Sequence, residues 1–138
     1  MPAAADATVV DASAIAAALF DEPEAPPVVA SITGKLIAPT LLRYEVASVA
    51  TTKLLRYPQQ ADTIDQRYRL LDQLTIDYLE PDWPNLPALA RRWALSTYDA
   101  AYLQLALMRG APLVTLDARL AAAWDDAANG VAGGASPA

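Results

Sequence analysis

Ala7-Thr8-Val9-Val10-Asp11 runs straight into Ala12 to Phe20, and Leu113-Val114-Thr115-Leu116-Asp117 runs into Ala118 to Asp126. Each stretch is a short, apolar, β-branched run that closes on an aspartate placed to cap the helix that follows. The same strand, aspartate and helix therefore occur near both ends of a 138-residue chain. Between them lie further candidates of the same kinds. Lys35 to Ala38 reads as a strand closed by Pro39, and Thr75 to Leu79 as another. Helices are expected over Leu41 to Tyr57, where Pro58 supplies the stop, over Gln60 to Leu74, from the Pro81 to Pro87 stretch to near Leu95, and from Thr97 to Gly110. Asp21 to Pro27 holds three prolines and three acids and reads as a loop or a broken helix start, with a short helix over Val28 to Ile32. Strands alternating with helices predict an α/β fold with a parallel sheet covered on both faces, and ligands then bind outside the carboxyl ends of the strands. Asp11 and Asp117 stand at two such ends.

Composition narrows the chemistry. A hydrophobic share of 54% argues against disorder, and the apolar runs break off before the roughly 18 residues that a membrane span requires. The start, Met-Pro-Ala-Ala-Ala-Asp, has no basic segment leading into an apolar one, so the reading is a soluble, cytoplasmic protein. Neither Cys nor His occurs, which removes disulfides, thiolate zinc sites and nucleophiles activated by histidine. Catalysis is left to carboxylates, hydroxyls, Lys and Arg. The formal charge of −6 opposes a nucleic-acid partner unless acids are gathered on cations, and two divalent ions on four of the 16 acids would offset four of those charges.

Four acids qualify: Asp11, Glu45, Asp99 and Asp117. Asp11 and Asp117 are each explained equally by helix capping. Ser96-Thr97-Tyr98-Asp99 matches a capping box. Glu45 is not a cap, because Leu41, Glu45 and Val49 lie one helical turn apart and set the acid within an apolar row, where it either reaches water or meets a cation such as Arg43 or Arg56. Two acids at strand ends and two on helices can face one edge. Carboxylates about 4 Å apart repel by about 4 kcal/mol per pair at an effective dielectric near 20, so such a cluster calls for a cation. Hard oxygen ligands favour Mg²⁺ or Mn²⁺, and a pair of ions suits in-line attack of water on a phosphodiester.

The segments Val-Val-Asp11-Ala-Ser13, Leu-Arg-Tyr-Glu45-Val-Ala-Ser, Ser-Thr-Tyr-Asp99-Ala-Ala-Tyr-Leu-Gln-Leu-Ala and Leu-Val-Thr115-Leu-Asp117-Ala-Arg-Leu resemble, in order, the PIN-domain ribonucleases, and among them the VapC-type toxins of bacterial toxin–antitoxin pairs. The match runs from about Thr8 to Ala127. The resemblance implies a PIN-like three-layer α/β/α sandwich with a central parallel sheet of four to five strands, metal-dependent endonucleolytic cleavage of RNA, a homodimer, and a cognate antitoxin that blocks the site. It makes Asp11 and Asp99 the direct metal ligands, with Glu45 and Asp117 completing the acidic pocket and the Ser13 and Thr115 hydroxyls lining it. Capping and strand packing explain those two hydroxyls as well. Residues 1–128 would form the nuclease domain and 129–138 a flexible tail, so the chain departs from the family where a last strand commonly follows the final helix.

Candidate RNA contacts are Lys53 with Arg56, Arg67 with Arg69, and Arg91 with Arg92, though such pairs are as readily solvated surface. Arg119, two residues past Asp117 at a helix start, is placed to approach a bound phosphate. Trp83, Trp93 and Trp124 fit the core or a base-stacking surface. Two rival readings keep the acids without this chemistry. One is a catalytically silent module that binds RNA or a protein. The other is a receiver-like phosphoacceptor domain, which predicts a lysine after a late strand where Asp117 stands here.

Overall fold

The computed structural model describes residues 6–130. Four strands, β1 (Ala7–Val10), β2 (Lys35–Pro39), β3 (Ile76–Leu79) and β4 (Leu113–Val114), form one sheet in the order β3-β2-β1-β4, and every pairing is parallel. From β1 the chain moves outward to β2 and β3, then returns to the opposite side of β1 to lay down β4. The strand order thus reverses between β1 and β4, and a crevice opens at their carboxyl ends. Val9 pairs with Ile37 on one side and with Leu113 on the other, and Asp11 N–H donates to the Val114 carbonyl at 3.2 Å. Asp11 and Asp117 are the residues at which the chain leaves this crevice.

Helices cover the sheet in two groups. The first comprises α1 (Ala12–Leu19), α2 (Ala25–Ala30), α3 (Leu41–Arg56) and α4 (Ala61–Arg69), which contact one another in sequence around α1 and α3. The second comprises α5 (Leu86–Trp93), α6 (Thr97–Arg109) and α7 (Ala118–Ala128), with α6 against β1, β2 and β4 and between its two neighbours. The expected α/β architecture is therefore borne out, with four strands among the described residues. The tail expected from residue 129 lies, from residue 131 onward, outside them. No helix among the described residues is long and apolar enough to cross a membrane.

The sequence of each helix accounts for its place. Six of the eight residues of α1 are buried, and five of those are Ala or Leu beside Ile15, so its small side chains let the backbone sit close under α3. The buried stripe of α3 is Leu42, Val46 and Ala50, which leaves Leu41, Glu45 and Val49 half-buried along its edge. In α6 every residue from Ala100 to Ala106 is buried, as befits a helix enclosed on all sides. Gly110 ends that helix in the left-handed region at φ 58°.

Local departures from expectation have local causes. The short helix expected from Val28 begins at Ala25, because Pro26 and Pro27 occupy its first turn, where no backbone donor is needed. The helix expected over Gln60 to Leu74 is divided: α4 is preceded by a 3₁₀ turn at Pro58–Gln60 and followed by another at Leu70–Gln73, whose tighter winding turns Leu71 into the core. Helix α5 stops at Trp93 because Ala94 adopts φ 53° and ψ 41°. That costs about 1 kcal/mol for a residue with a Cβ, and the guanidinium of Arg119 holds the Ala94 carbonyl at 2.8 Å. Strand β4 is only two residues long, because Thr115 and Leu116 turn away to serve Asp11 and Ser13.

Polar groups inside the fold are matched, and no buried side-chain nitrogen or oxygen among the described residues lacks a partner. Thr8, fully buried on β1, donates to the Thr33 carbonyl at 2.6 Å and accepts from the Thr33 N–H at 3.0 Å, which fixes the turn into β2. Gln104 does the same for the segment after β3: its amide accepts from Asp82 N–H at 2.9 Å and donates to the Asp82 carbonyl at 3.0 Å. Gln104→Leu keeps the volume and strands both backbone groups, so chemical denaturation should show a loss of about 1–3 kcal/mol. An unchanged midpoint would mean that water replaces the amide.

Candidate functional site

The crevice between β1 and β4 is organised around Asp11, which is 5% exposed. As the N-cap of α1 it accepts from Ala14 N–H at 3.0 Å through Oδ1, and the Ser13 hydroxyl donates to the same oxygen at 2.7 Å. The Thr115 hydroxyl donates to Oδ2. Both hydroxyl protons are thereby spent on Asp11, and both hydroxyl oxygens accept from the chain after β4: Ser13 Oγ from Leu116 N–H and Thr115 Oγ1 from Asp117 N–H, each at 2.9 Å. Two short hydroxyls thus join the ends of two strands. The structure brings Ser13 and Thr115 to Asp11 as positioning groups, and it makes capping and site-building the same act.

Asp117 caps α7 through Oδ1, which accepts from Arg119 N–H at 2.9 Å and Leu120 N–H at 3.1 Å. Only half of the capping box at Ser96 is formed: Ser96 Oγ accepts from Asp99 N–H at 3.0 Å, while the Asp99 carboxylate accepts no backbone bond in return. Capping therefore leaves the Asp99 carboxylate unexplained. Glu45, from the half-buried edge of α3, accepts from the phenol of Tyr102 at 2.6 Å through Oε1. Tyr102 is the partner of this acid that the sequence did not single out. Its signal was a tyrosine one turn after Asp99 on an otherwise Ala- and Leu-rich helix face, where a phenol needs a buried acceptor.

Three of the four acids respond to the charges around them. Burial is the main reason that the carboxyl of Asp11 titrates above the ordinary aspartate range; its hydrogen bonds from Thr115, Ser13 and Ala14 pull the other way, and the charge of Asp117 adds to the rise. Glu45 is raised first by burial, against the phenol, and further by Asp99 and Asp11. Asp99 is raised by burial, then by Asp117 and Asp11, with the Ser96 hydroxyl and the Arg119 guanidinium opposing. Tyr102 is held firmly protonated by burial and by the adjacent Glu45.

Oxygen by oxygen, each carboxylate keeps capacity for a further partner. Among the described residues, Asp11 Oδ1 is saturated by two donors and Oδ2 carries one; Asp117 and Glu45 each have one oxygen engaged and one without a hydrogen bond; Asp99 accepts no backbone bond and feels, as a donor, only the Ser96 hydroxyl. All are hard oxygen donors, which suits Mg²⁺ or Mn²⁺. Among the described residues, no group of three or more acids is drawn together tightly enough to hold a metal ion as it stands. Like charges without a counter-ion have that reason to stand apart.

The other candidates lie elsewhere. Lys53 pairs with Glu22 at 2.6 Å and lies over the Phe20 ring, Arg67 meets the Leu19 carbonyl at 3.4 Å, and Arg69 pairs with Asp65 at 2.8 Å. Arg92 lies over the ring of Trp93. Lys53 and Arg67 tie α3 and α4 to the end of α1, and Arg69 and Arg92 serve their own helices. Trp93 is buried and Trp124 half-buried, whereas Trp83 is 60% exposed with its indole N–H 3.3 Å from Glu80.

The model of the PIN domain matches residues 8–124, a span that includes all four acids, Ser13, Tyr102, Thr115 and Arg119. The chain belongs to the PIN-domain family. No curated protein matches it. Among solved structures, PAE2754 from Pyrobaculum aerophilum is similar to this PIN domain with a TM-score of 0.66 and 22% identity, over 84% of this chain and 86% of that one. A likeness at that identity speaks for the fold. PIN domains are typically nucleases and generally use divalent metal ions, so membership supports a nuclease reading of the acidic crevice.

Proposed function

We propose that this PIN domain is a Mg²⁺- or Mn²⁺-dependent endoribonuclease that cuts RNA phosphodiester bonds at Asp11, Glu45, Asp99 and Asp117, and that it is the toxin of a toxin–antitoxin pair. The observation that carries the reading is that Asp11, Glu45 and Asp99 each feel the charge of other acids of this set beside the carboxyl ends of β1 and β4, while every one of the four keeps an oxygen able to take a partner. Asp11 and Asp99 would hold the ion, because the first is fixed by three hydrogen bonds and the second accepts no backbone bond. Glu45 and Asp117, each clamped through one oxygen, would position ion and attacking water with the other. Bound divalent metal supplies Lewis acidity and makes water a nucleophile near neutral pH. Arg119, held by the Ala94 carbonyl and close enough to act on Asp99, would approach a bound phosphate. A homodimer and a cognate antitoxin covering the crevice complete the reading and rest on the resemblance of the four motifs, while a cytoplasmic location rests on the N-terminal sequence.

Purified protein given Mn²⁺ or Mg²⁺ should cut RNA internally, should stop in excess chelator, and should resume when metal is restored. Cleavage undiminished by chelator would sink the mechanism. The absence of a ready-formed cage favours a second reading, a silent module that binds RNA or a protein partner. Calorimetric titration separates the two, since the silent module retains its partner and takes up neither ion.

A further inference from the structure

Tyr44 and Tyr98 are the most exposed aromatic residues among those described, at 83% and 65%, and both stand beside acids of the crevice. Tyr44 precedes Glu45 on α3, and Tyr98 precedes Asp99 in the first turn of α6. Tyr98 and Tyr102 lie one turn apart on one face of α6, and the phenol of Tyr102 meets Glu45. Tyr98 is therefore one turn beyond that contact, toward the start of α6 and the crevice. Leu116, 43% exposed, stands between Thr115 and Asp117 with its N–H on the Ser13 hydroxyl. A singly exposed tyrosine is ordinary surface. Two rings and a leucine, each adjacent in the chain to a site acid, make an apolar rim round a charged floor.

The charges of the chain indicate what such a rim is for. At a net −6 the protein attracts phosphate weakly, and half of its ten cations are already engaged: Arg43, Lys53 and Arg69 in ion pairs, Arg67 and Arg119 on backbone carbonyls. RNA needs another hold. The faces of unpaired bases stack on aromatic rings whatever their sequence, and that attraction does not depend on cations. We propose that Tyr44 and Tyr98 are base-stacking residues at the mouth of the crevice, so that this PIN domain grips RNA by its bases more than by its backbone. The inference rests on RNA as the ligand in the reading above.

The test is fluorescence anisotropy in chelator with three labelled ligands: a single-stranded RNA, that strand paired to its complement, and that strand with abasic sites, which keeps the phosphates and lacks bases. The parent chain should bind the intact single strand about tenfold or more tightly than either of the others. Tyr44→Ala and Tyr98→Ala should each weaken that binding about tenfold, while Tyr44→Phe and Tyr98→Phe, which keep the ring, should match the parent. Both positions are exposed, so the alanine variants should melt with the parent. The salt dependence of binding should be the same in every form, because no phosphate contact is removed. Equal or absent binding of the three ligands overturns the inference, as do alanine variants that bind like the parent or a loss that the phenylalanine variants share. Cleavage in Mn²⁺ separates this inference from the nuclease reading. Tyrosine-dependent binding without cleavage in any form overturns the nuclease reading alone. Cleavage with an unchanged KM in both alanine variants overturns the stacking alone.

Discussion

Asp99→Asn should abolish metal-dependent RNA cleavage, by about a thousandfold or more, while making the metal-free protein more stable at neutral pH. The two effects have one cause. Asp99 is the acid whose carboxylate no backbone donor occupies, so an ion has most to lose with its charge; the same charge, without the ion, is pressed against Asp117 and Asp11 in a half-buried place. The amide keeps the shape and removes the repulsion.

The pH dependence follows with a definite sign. Asp11 and Asp99 titrate in the folded state above their ordinary 3.8, and Glu45 above 4.5, so the folded chain holds those protons more tightly than the unfolded chain. Their contribution to stability is fully present below those ordinary values and is lost as pH rises through the raised folded ones. Metal-free protein should therefore lose melting temperature from mildly acidic to neutral pH, by less in Asp99→Asn than in the parent. Saturating Mg²⁺ or Mn²⁺ should reverse the loss in the parent and not in the variant. Melting curves across pH in chelator and in metal check this. A parent melting temperature that rises steadily over the same window would contradict the clustering of these charges.

Leu103→Ala should destabilise the protein by about 2–5 kcal/mol, read from urea unfolding. Leu103 is fully buried at the centre of α6, and that helix contacts three strands on one side and α5 and α7 on the others. With neighbours all round, the structure has little freedom to close over the missing methyls, so a cavity remains. Met108→Ala, at a position 64% exposed on the same helix, should stay within about 0.5 kcal/mol. The contrast separates burial from helix propensity, because both changes install the best helix former. A Leu103→Ala midpoint equal to that of Met108→Ala would show that α6 is not the central element described here.

The caps and the acids were legible in the amino-acid sequence because they depend on neighbours a few positions away. An aspartate after Thr-Val-Val or Val-Thr-Leu meets the free amides of the next turn wherever the strand goes, and Glu45 announces itself by its place beside the stripe Leu42, Val46 and Ala50. The alternation of strand and helix likewise made a covered parallel sheet the natural fold. Tertiary structure alone decided which strands are neighbours: β4 returns to the side of β1 away from β2, and Thr115 thereby reaches Asp11 across 104 positions. The phenol of Tyr102 finds Glu45 across 57. The same holds for Arg119, whose side chain supports Ala94 at the end of α5. Local hydrogen bonds compete only with water and leave their mark in short motifs. A bond between distant residues exists only after the sheet order and the helix layers have brought both groups out of water together, so the four acids could be named from the sequence, while what holds each of them in place could not.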